Sequence, residues 1–433
     1  MSLEVTSHPP RQNIPFVETR YNASLRCRCV IASILGVLLS ATAVSATEQA
    51  SPQIPNSYAA IYDLAQRMNL DVLAARARYA VRRAGIRIAA TQPNPLIAAE
   101  VLRSDPHASV VFELPLELGG RRARRIDVAE AELKLADAEL ADALRKMRRD
   151  LRRAFYGVVF SGQRIALAQT QVEIAERVKN TADERYRAGA VPYLDVLQAK
   201  LGLDRAHNDL QLEQKQKLAA EADLKTVLNL SPEASVSVFG SLRDFAPAFE
   251  VSGYLQTALR QNPDLQALNQ QLEVENQRLR LLHAESLPDV SVIAGSEFFS
   301  ADFNVGPRAG INVEIPIHKK RAGQIEQSQA LQEQLKLSVQ ATRRHIEGAI
   351  GAAHSRLLAQ QSRVDVFQRE IVPAAVELER LAEESYREGK TSILFVLEAQ
   401  KSLRDVRVES LQAEFEFQMA VADVEEAGGV PLS

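Results

Sequence analysis

Tryptophan is absent from all 433 residues, and phenylalanine, tyrosine and tryptophan together make up only 5%. With a formal net charge of −3 the chain also lacks a cationic excess. Without aromatic platforms among its basic residues or a basic surplus, it does not read as a nucleic-acid binder. Cysteine occurs only at Cys27 and Cys29. The one long apolar run, Val30 to Ala41, is shorter than the roughly 20 residues a membrane-crossing helix needs. Arg20, Arg26 and Arg28 precede that run and Val44-Ser45-Ala46 follows it, so residues 1–46 read as a leader and secretory signal peptide cut after Ala46. The mature chain would then hold no cysteine, which excludes disulfides and thiol chemistry. Its histidines, His107, His207, His283, His318, His345 and His354, show no i, i+4 ligand pairing, and no metal centre is expected. A Gly-rich phosphate loop, a nucleophile elbow and a paired-acid motif are all missing, so neither a cofactor nor enzymatic activity is expected.

What the chain does contain is alanine, leucine, glutamate, glutamine and arginine in abundance, the composition of long helices. It also contains itself twice. RYRAGAVPYLDVLQAK (185–200) returns as SYREGKTSILFVLEAQ (385–400), sharing Tyr186/Tyr386, Arg187/Arg387, Gly189/Gly389, Leu194/Leu394, Val196/Val396, Leu197/Leu397 and Ala199/Ala399 at an offset of 200. Each copy reads as a helical hairpin in which glycine closes one helix and Leu-x-Val-Leu opens the next. A second pair lies further upstream: AQRMNLDVLAA (65–75) and ALRQNPDLQAL (258–268) align Asn69/Asn262 and Asp71/Asp264 at an offset of 193.

The remaining elements follow in the same order in both copies. A first helix, expected at Ser57–Thr91 in one copy, stops at Pro93 and Pro95, and its counterpart stops at Pro288. Two extended stretches follow, about 96–103 and 108–116, then about 289–300 and 308–317. In the last of these Ile311, Val313, Ile315 and Ile317 alternate with Gly310, Asn312 and Glu314. Alternation suits an ordinary half-buried sheet or a wall between lipid and water; the lengths, near the 9–11 residues of a transmembrane strand, favour the wall. Long helices are expected over Arg121–Arg187 and 322–387, the second kinked at Pro373 where the first has Glu173. Leu133, Leu140, Leu144, Met147, Leu151, Phe155 and Val158 mark a helix–helix seam on the first. Closing helices are expected at Tyr193–Leu228 and Ile393–Glu426, and a short strand at Val236–Phe239 in the connection between copies. The repeats are bounded as 47–243 and 244–433.

The doubled Tyr-x-x-Gly-x-x-x-x-Leu-x-Val-Leu, the doubled strand-Pro-strand running into a basic helix start, and the paired Asn-x-Asp resemble the TolC family of outer-membrane efflux ducts over the whole mature chain. ELPLELGGRRARR (113–125) is similar to the heavy-metal branch, which serves cobalt, zinc, cadmium or copper efflux. The resemblance implies a mainly α fold with a small transmembrane β part. Two tandem repeats would make one third of a homotrimeric 12-stranded β-barrel and long α-helical barrel, in the outer membrane of a Gram-negative bacterium and extending into the periplasm. It implies a periplasmic adaptor (membrane fusion) protein, an inner-membrane transporter of the resistance-nodulation-division (RND) type and outer-membrane lipid as partners. The duct itself would do no covalent chemistry. Tyr186, Gly189, Leu194, Tyr386, Gly389 and Leu394 fall at the periplasmic tip where an adaptor docks.

By the same resemblance the gate falls on Tyr386, Phe395 and Glu398, with Asp195 at the first-repeat position equivalent to Phe395. Phe departs from the family's carboxylate; a ring of Phe395 would gate by dewetting, or the side chain packs inside the hairpin. The basic residues Arg121, Arg122, Arg124, Arg125, Lys319, Lys320 and Arg321 follow membrane strands and read as contacts to inner-leaflet phosphates or as solvated helix starts. Alternative functions are a duct for type I protein secretion or organic-compound efflux, and a coiled-coil structural protein without a channel.

Overall fold

A computed structural model describes residues 57–243, 250–299, 304–315 and 321–432. The expected leader and cleavage site, residues 1–46, lie outside the described residues, as do Pro316, Lys319 and Lys320. The first repeat runs α1 (Tyr58–Met68), α2 (Leu70–Ala90), β1 (Leu96–Val101), β2 (Ala108–Leu116), α3 (Arg121–Arg187) and α4 (Tyr193–Val227). The second runs α5 (Val251–Gln261), α6 (Pro263–Glu285), β3 (Asp289–Phe298), β4 (Val305–Glu314), α7 (Ala322–Val366), a π-helical turn (Phe367–Ile371), α8 (Val372–Arg387) and α9 (Ile393–Gly428). Among the described residues no helix is long and apolar enough to cross a membrane.

The sequence suggested one continuous first helix per repeat, and here the structure differs. Asn69 takes an extended ψ of 125° and Asn262 one of 123°, so that each ends one helix and begins another. Asn69 Oδ1 accepts the Asp71 and Val72 amides at 3.0 and 3.1 Å, capping α2, while its Nδ2 donates to the Val227 carbonyl at the end of α4, 2.9 Å away. Asn262 repeats the arrangement: Oδ1 accepts from Asp264 and Leu265 at 2.9 and 3.4 Å, and Nδ2 donates to Ala427 O near the end of α9 at 3.3 Å. An amide side chain is suited to this place because it offers an acceptor to one helix start and a donor to another helix end. The first and last long helices of each repeat therefore meet at an asparagine, beside a partner that runs past the junction.

That partner is α3 in the first repeat, with 67 residues and a length of about 100 Å. The expected seam is its buried face: Met147, Leu151, Phe155 and Val158 pack with Ile61, Val72, Leu224, Leu228 and Leu242 in one core. The connection between repeats is not a strand at Val236–Phe239. Val236 and Val238 are instead held by packing against this core, and Phe239 is exposed. A second core joins Tyr254, Leu265, Ile346, Ile350, Leu357, Val421 and Val424. Between the two, Arg152 of α3 pairs with Glu425 of α9 at 3.3 Å, and Glu425 also accepts the Leu432 amide at 3.1 Å. Burial pushes the Glu425 carboxyl above the ordinary carboxylate range, against the pull of Arg152.

In the second repeat the long helix accommodates Pro373 through the π-turn just before it. Proline lacks an N–H and its ring crowds the carbonyl four residues back; a widened turn relieves both. Glu414 on α9 accepts from Gln368 of this turn at 3.1 Å and from Arg243 at 2.5 Å.

The four strands form one antiparallel sheet in the order β1-β2-β3-β4. The register is regular, Leu116 opposite Val290 and Val290 opposite Val313. Among the described residues, the outer edges of β1 and β4 have no strand partner.

If Asn262 closes three helix ends, Asn262→Ala should lower stability by about 2–3 kcal/mol, one part from the lost cap and the rest from the orphaned Ala427 carbonyl. Asn262→Asp, which keeps the acceptor and loses the donor, should fall between the two in thermal unfolding of the detergent-solubilised protein. An Asp variant as stable as the native protein would show that the donor half contributes nothing.

Candidate functional site: hairpin turns and sheet end

The two hairpin turns are built alike, bond for bond. At the end of α3 the Gly189 amide donates to Tyr186 O and the Ala190 amide to Arg185 O, both at 2.9 Å; at the end of α8 Gly389 donates to Tyr386 O at 3.0 Å and Lys390 to Ser385 O at 2.9 Å. Gly189 and Gly389 have φ of +71° and +73°, the left-handed conformation this termination requires and glycine adopts without strain. A Cβ on Gly189 would meet nothing within 4 Å, and one on Gly389 would meet only the Arg185 guanidinium at 3.7 Å. Both turns are thus open to an approaching surface.

The side chains around the turns are less alike than their backbones. Tyr186 is 46% exposed and lies against the Tyr193 ring, centroids 5.6 Å apart, whereas Tyr386 is 3% exposed in a cluster with Val178, Ala182, Ala199, Ile393 and Val396. Burial pushes the Tyr386 phenol up, with Arg185 opposing the shift. Leu194 and Leu394 are exposed, Asp195 is half-buried, and Glu398 is exposed. Phe395 is 65% exposed, so it does not pack inside the hairpin of its own chain. Glu398 borders a groove of about 790 Å³ between α3, α4 and α9, together with Gly202, Arg205, Leu397 and Lys401.

Spacing alone did not disclose Arg185. It sits one residue before the tyrosine of the repeat, where the second copy has Ser385, and its Nη1 donates to the Tyr386 carbonyl at 2.6 Å.

At the sheet end most of the basic residues have structural partners. Arg121 donates to Ala284 O at 3.2 Å, Leu287 O at 2.5 Å and Pro288 O at 3.2 Å, and pairs with Asp289. Arg122 donates to Ala90 O at 2.7 Å. Arg125 donates to Ala89 O at 3.3 Å and Thr91 O at 3.1 Å, and pairs with Glu117. The start of α3 thus supplies guanidinium donors to the unsatisfied carbonyls at the ends of α2 and α6, where cations also meet the negative end of the helix dipole. Arg321 pairs with Glu285 at 3.0 Å, and Arg124 pairs, among the described residues, with its helix neighbour Asp127 at 3.1 Å. The clue in the sequence was the proline stop after each first helix, which leaves those carbonyls without partners.

The register assigns the two faces of the sheet. Val110, Phe112, Leu114 and Leu116 share a face with Val290, Val292, Ile311 and Val313; the other face carries Ser109, Glu113, Ser291, Glu297, Arg308 and Asn312. On it Glu113 accepts from the Ser291 hydroxyl, and Arg308 pairs with Glu297 at 3.1 Å. No group of metal-ligating side chains occurs among the described residues.

A sheet apolar on one face and polar on the other, open at both edges and continued by helices of about 100 Å to paired turns, defines a segment of a membrane-embedded duct. The chain belongs to the outer membrane efflux protein family, whose model matches residues 61–230 and 254–430. It is the outer-membrane channel component of a tripartite efflux system, with its helical part extending into the periplasm.

Among curated proteins it is 24% identical over 363 residues to the cobalt-zinc-cadmium resistance protein CzcC of Cupriavidus metallidurans, covering 82% of this chain and 86% of that one. It is 26% identical over 284 residues to the outer membrane efflux protein BepC of Brucella suis, covering 62% of this chain and 59% of that one. Among solved structures, the outer-membrane channel OprN superposes with a TM-score of 0.71 at 19% identity, covering 86% of this chain and 89% of the other. CusC superposes with a TM-score of 0.71 at 14% identity, covering 86% and 92%.

Because its guanidinium is charged and multiply bonded, Arg121→Ala should cost about 3 kcal/mol. Arg124→Ala should be near neutral, as exposed pairs are. Equal losses for the two variants in denaturant titration would mean that the cluster acts through net charge rather than through these bonds.

Proposed function

We propose that three copies of this chain form a duct that discharges heavy-metal cations delivered by a periplasmic adaptor protein and an inner-membrane RND transporter. The observation that carries the cargo assignment is the match to a cobalt-zinc-cadmium resistance protein over most of both chains. Trimerisation rests on a physical need. The outer edges of β1 and β4 expose backbone donors and acceptors that hydrocarbon cannot satisfy, and joining β4 of one copy to β1 of the next closes them into a barrel of twelve strands.

In this reading Gly189, Gly389, Tyr186, Leu194 and Leu394 form the adaptor's docking surface, with Tyr386 buried behind it. Phe395, exposed and apolar, would line a constriction that closes by losing its water, with Glu398 and Asp195 beside it. Arg124, which among the described residues pairs with its helix neighbour Asp127 and with no helix-end carbonyl, would be free to meet lipid phosphate. The energy for transport comes from the transporter; the duct supplies an aqueous path across lipid.

A deletion strain tests the cargo. Loss of the chain should sensitise cells to zinc, cobalt, cadmium or copper and leave tolerance to dyes and detergents unchanged; the reverse pattern assigns organic compounds instead. Docking is tested separately with Gly389→Asn. Asparagine tolerates the left-handed conformation, so the protein should remain in the membrane while its new side chain obstructs the adaptor and efflux fails. Gly389→Val adds about 1–2 kcal/mol of backbone strain to the same obstruction. Normal resistance in the asparagine variant would remove the turn from the docking surface.

A further inference from the structure

The groove of about 790 Å³ between α3, α4 and α9 contains polar groups that the fold itself does not use. Small side chains make the space: Ala168 and Ala175 line it from α3, Gly202 and Ala206 from α4. Gln400 of α9 lines it too, is 9% exposed, and has no hydrogen-bond partner for its Nε2 donor among the described residues. Gln171 of α3, also in the lining, has a buried Nε2 that is equally unanswered. A buried amide N–H without an acceptor is a loss that folding ordinarily avoids, and here it occurs twice in one groove.

The two amides stand at one level. The Arg164–Glu213 pair and the packing of Val178 with Ala199 set the antiparallel register of α3 and α4, which places Gln171 opposite Ala206. The Arg404–Asp209 pair and the approach of Leu397 to Gly202 set the parallel register of α4 and α9, which places Gln400 beside Arg205. Lys401 follows directly on α9. Of the charges in the lining, Arg164 is paired with Glu213, and Arg404 with Asp209 and Asp405. Arg205, Lys401 and Glu398 make no ion pair among the described residues, so the level of the two amides carries a positive excess. Leu201 and Leu397, about one turn nearer the hairpin tips, add apolar surface beside it.

We propose that this groove binds a small organic carboxylate. Its two oxygens accept from Gln171 and Gln400, Arg205 and Lys401 meet its charge, and its apolar body rests on Leu201 and Leu397. A carboxylate offers acceptors and no donor, which matches carboxamide N–H groups arriving from two different helices. A bare ion would leave most of the volume and both leucines unused. The assignment concerns the wall of the protein and holds whatever solute the duct discharges.

Hexanoate is the probe, added to the full-length protein in lipid nanodiscs and followed by saturation-transfer NMR. It should receive saturation, and hexylamine, of similar length and opposite charge, should not. Gln400→Leu keeps the size and removes the donor, so it should weaken hexanoate binding at least ten-fold. Its thermal unfolding should stay at or above that of the native protein, since an unanswered buried amide has gone. Lys401→Gln, at an exposed position, should weaken binding several-fold and flatten its dependence on salt. Lys390→Gln, at the turn outside the groove, should change nothing. Unaltered affinity in Gln400→Leu or Lys401→Gln, or an equal loss in Lys390→Gln, overturns the site. Equal saturation of hexylamine, or displacement of hexanoate by an equal concentration of inorganic phosphate, overturns the carboxylate assignment.

Discussion

Helix ends govern this structure more than helix faces do. A terminated helix leaves four amides at one end and four carbonyls at the other without intrahelical partners, and a chain of end-to-end helices accumulates such termini. The protein places them at three levels and answers each with a different side-chain chemistry. At the waist Asn69 and Asn262 bridge the start of one helix to the end of another. At the sheet end Arg121, Arg122 and Arg125 reach back to carbonyls left open by α2 and α6. At the turns Gly189 and Gly389 let the chain fold over its own last carbonyls. The cores between these levels are assembled mainly from aliphatic side chains, with Phe155, Tyr156 and Tyr254 among them.

Much of the architecture was legible because it is stated twice. The long helix Arg121–Arg187, the strand Ala108–Leu116 and both glycine turns stand where periodicity and punctuation put them. The break at Asn69 is masked in the sequence because the apolar pattern continues through it; the recurrence of Asn-x-Asp in the second copy is the one hint that the asparagine caps rather than interrupts. The segment at Val236 is rich in β-branched residues yet makes no sheet, since the nearby core offers burial and no free strand edge. Long-range partners were the least legible. Nothing in the spacing of Arg121 says that it meets Pro288, and nothing in the tip motif says that Arg185 lies over Tyr386.

The repeats have diverged in a consistent direction. The first keeps an uninterrupted spine, while the second carries the π-turn, with Glu414 joining it to Arg243 of the connecting segment. A widened turn shifts the phase of every residue beyond it, so α8 presents its faces at a different angle from the corresponding part of α3. Duplicated sequence has thus yielded two hairpins with the same turn and different mechanical roles, one continuous with its column and the other jointed to it.

The sheet's open edges carry a consequence for biogenesis. A solitary chain offered to a bilayer would bring two rows of unsatisfied peptide groups into hydrocarbon, at several kcal/mol for each group left unpaired. In the proposed trimer, membrane entry and subunit association would therefore be a single thermodynamic event. Copies of the chain would have to find one another before any of them could settle among the acyl chains, which would make the yield of functional pores a steep function of how many chains are present in the same place at once.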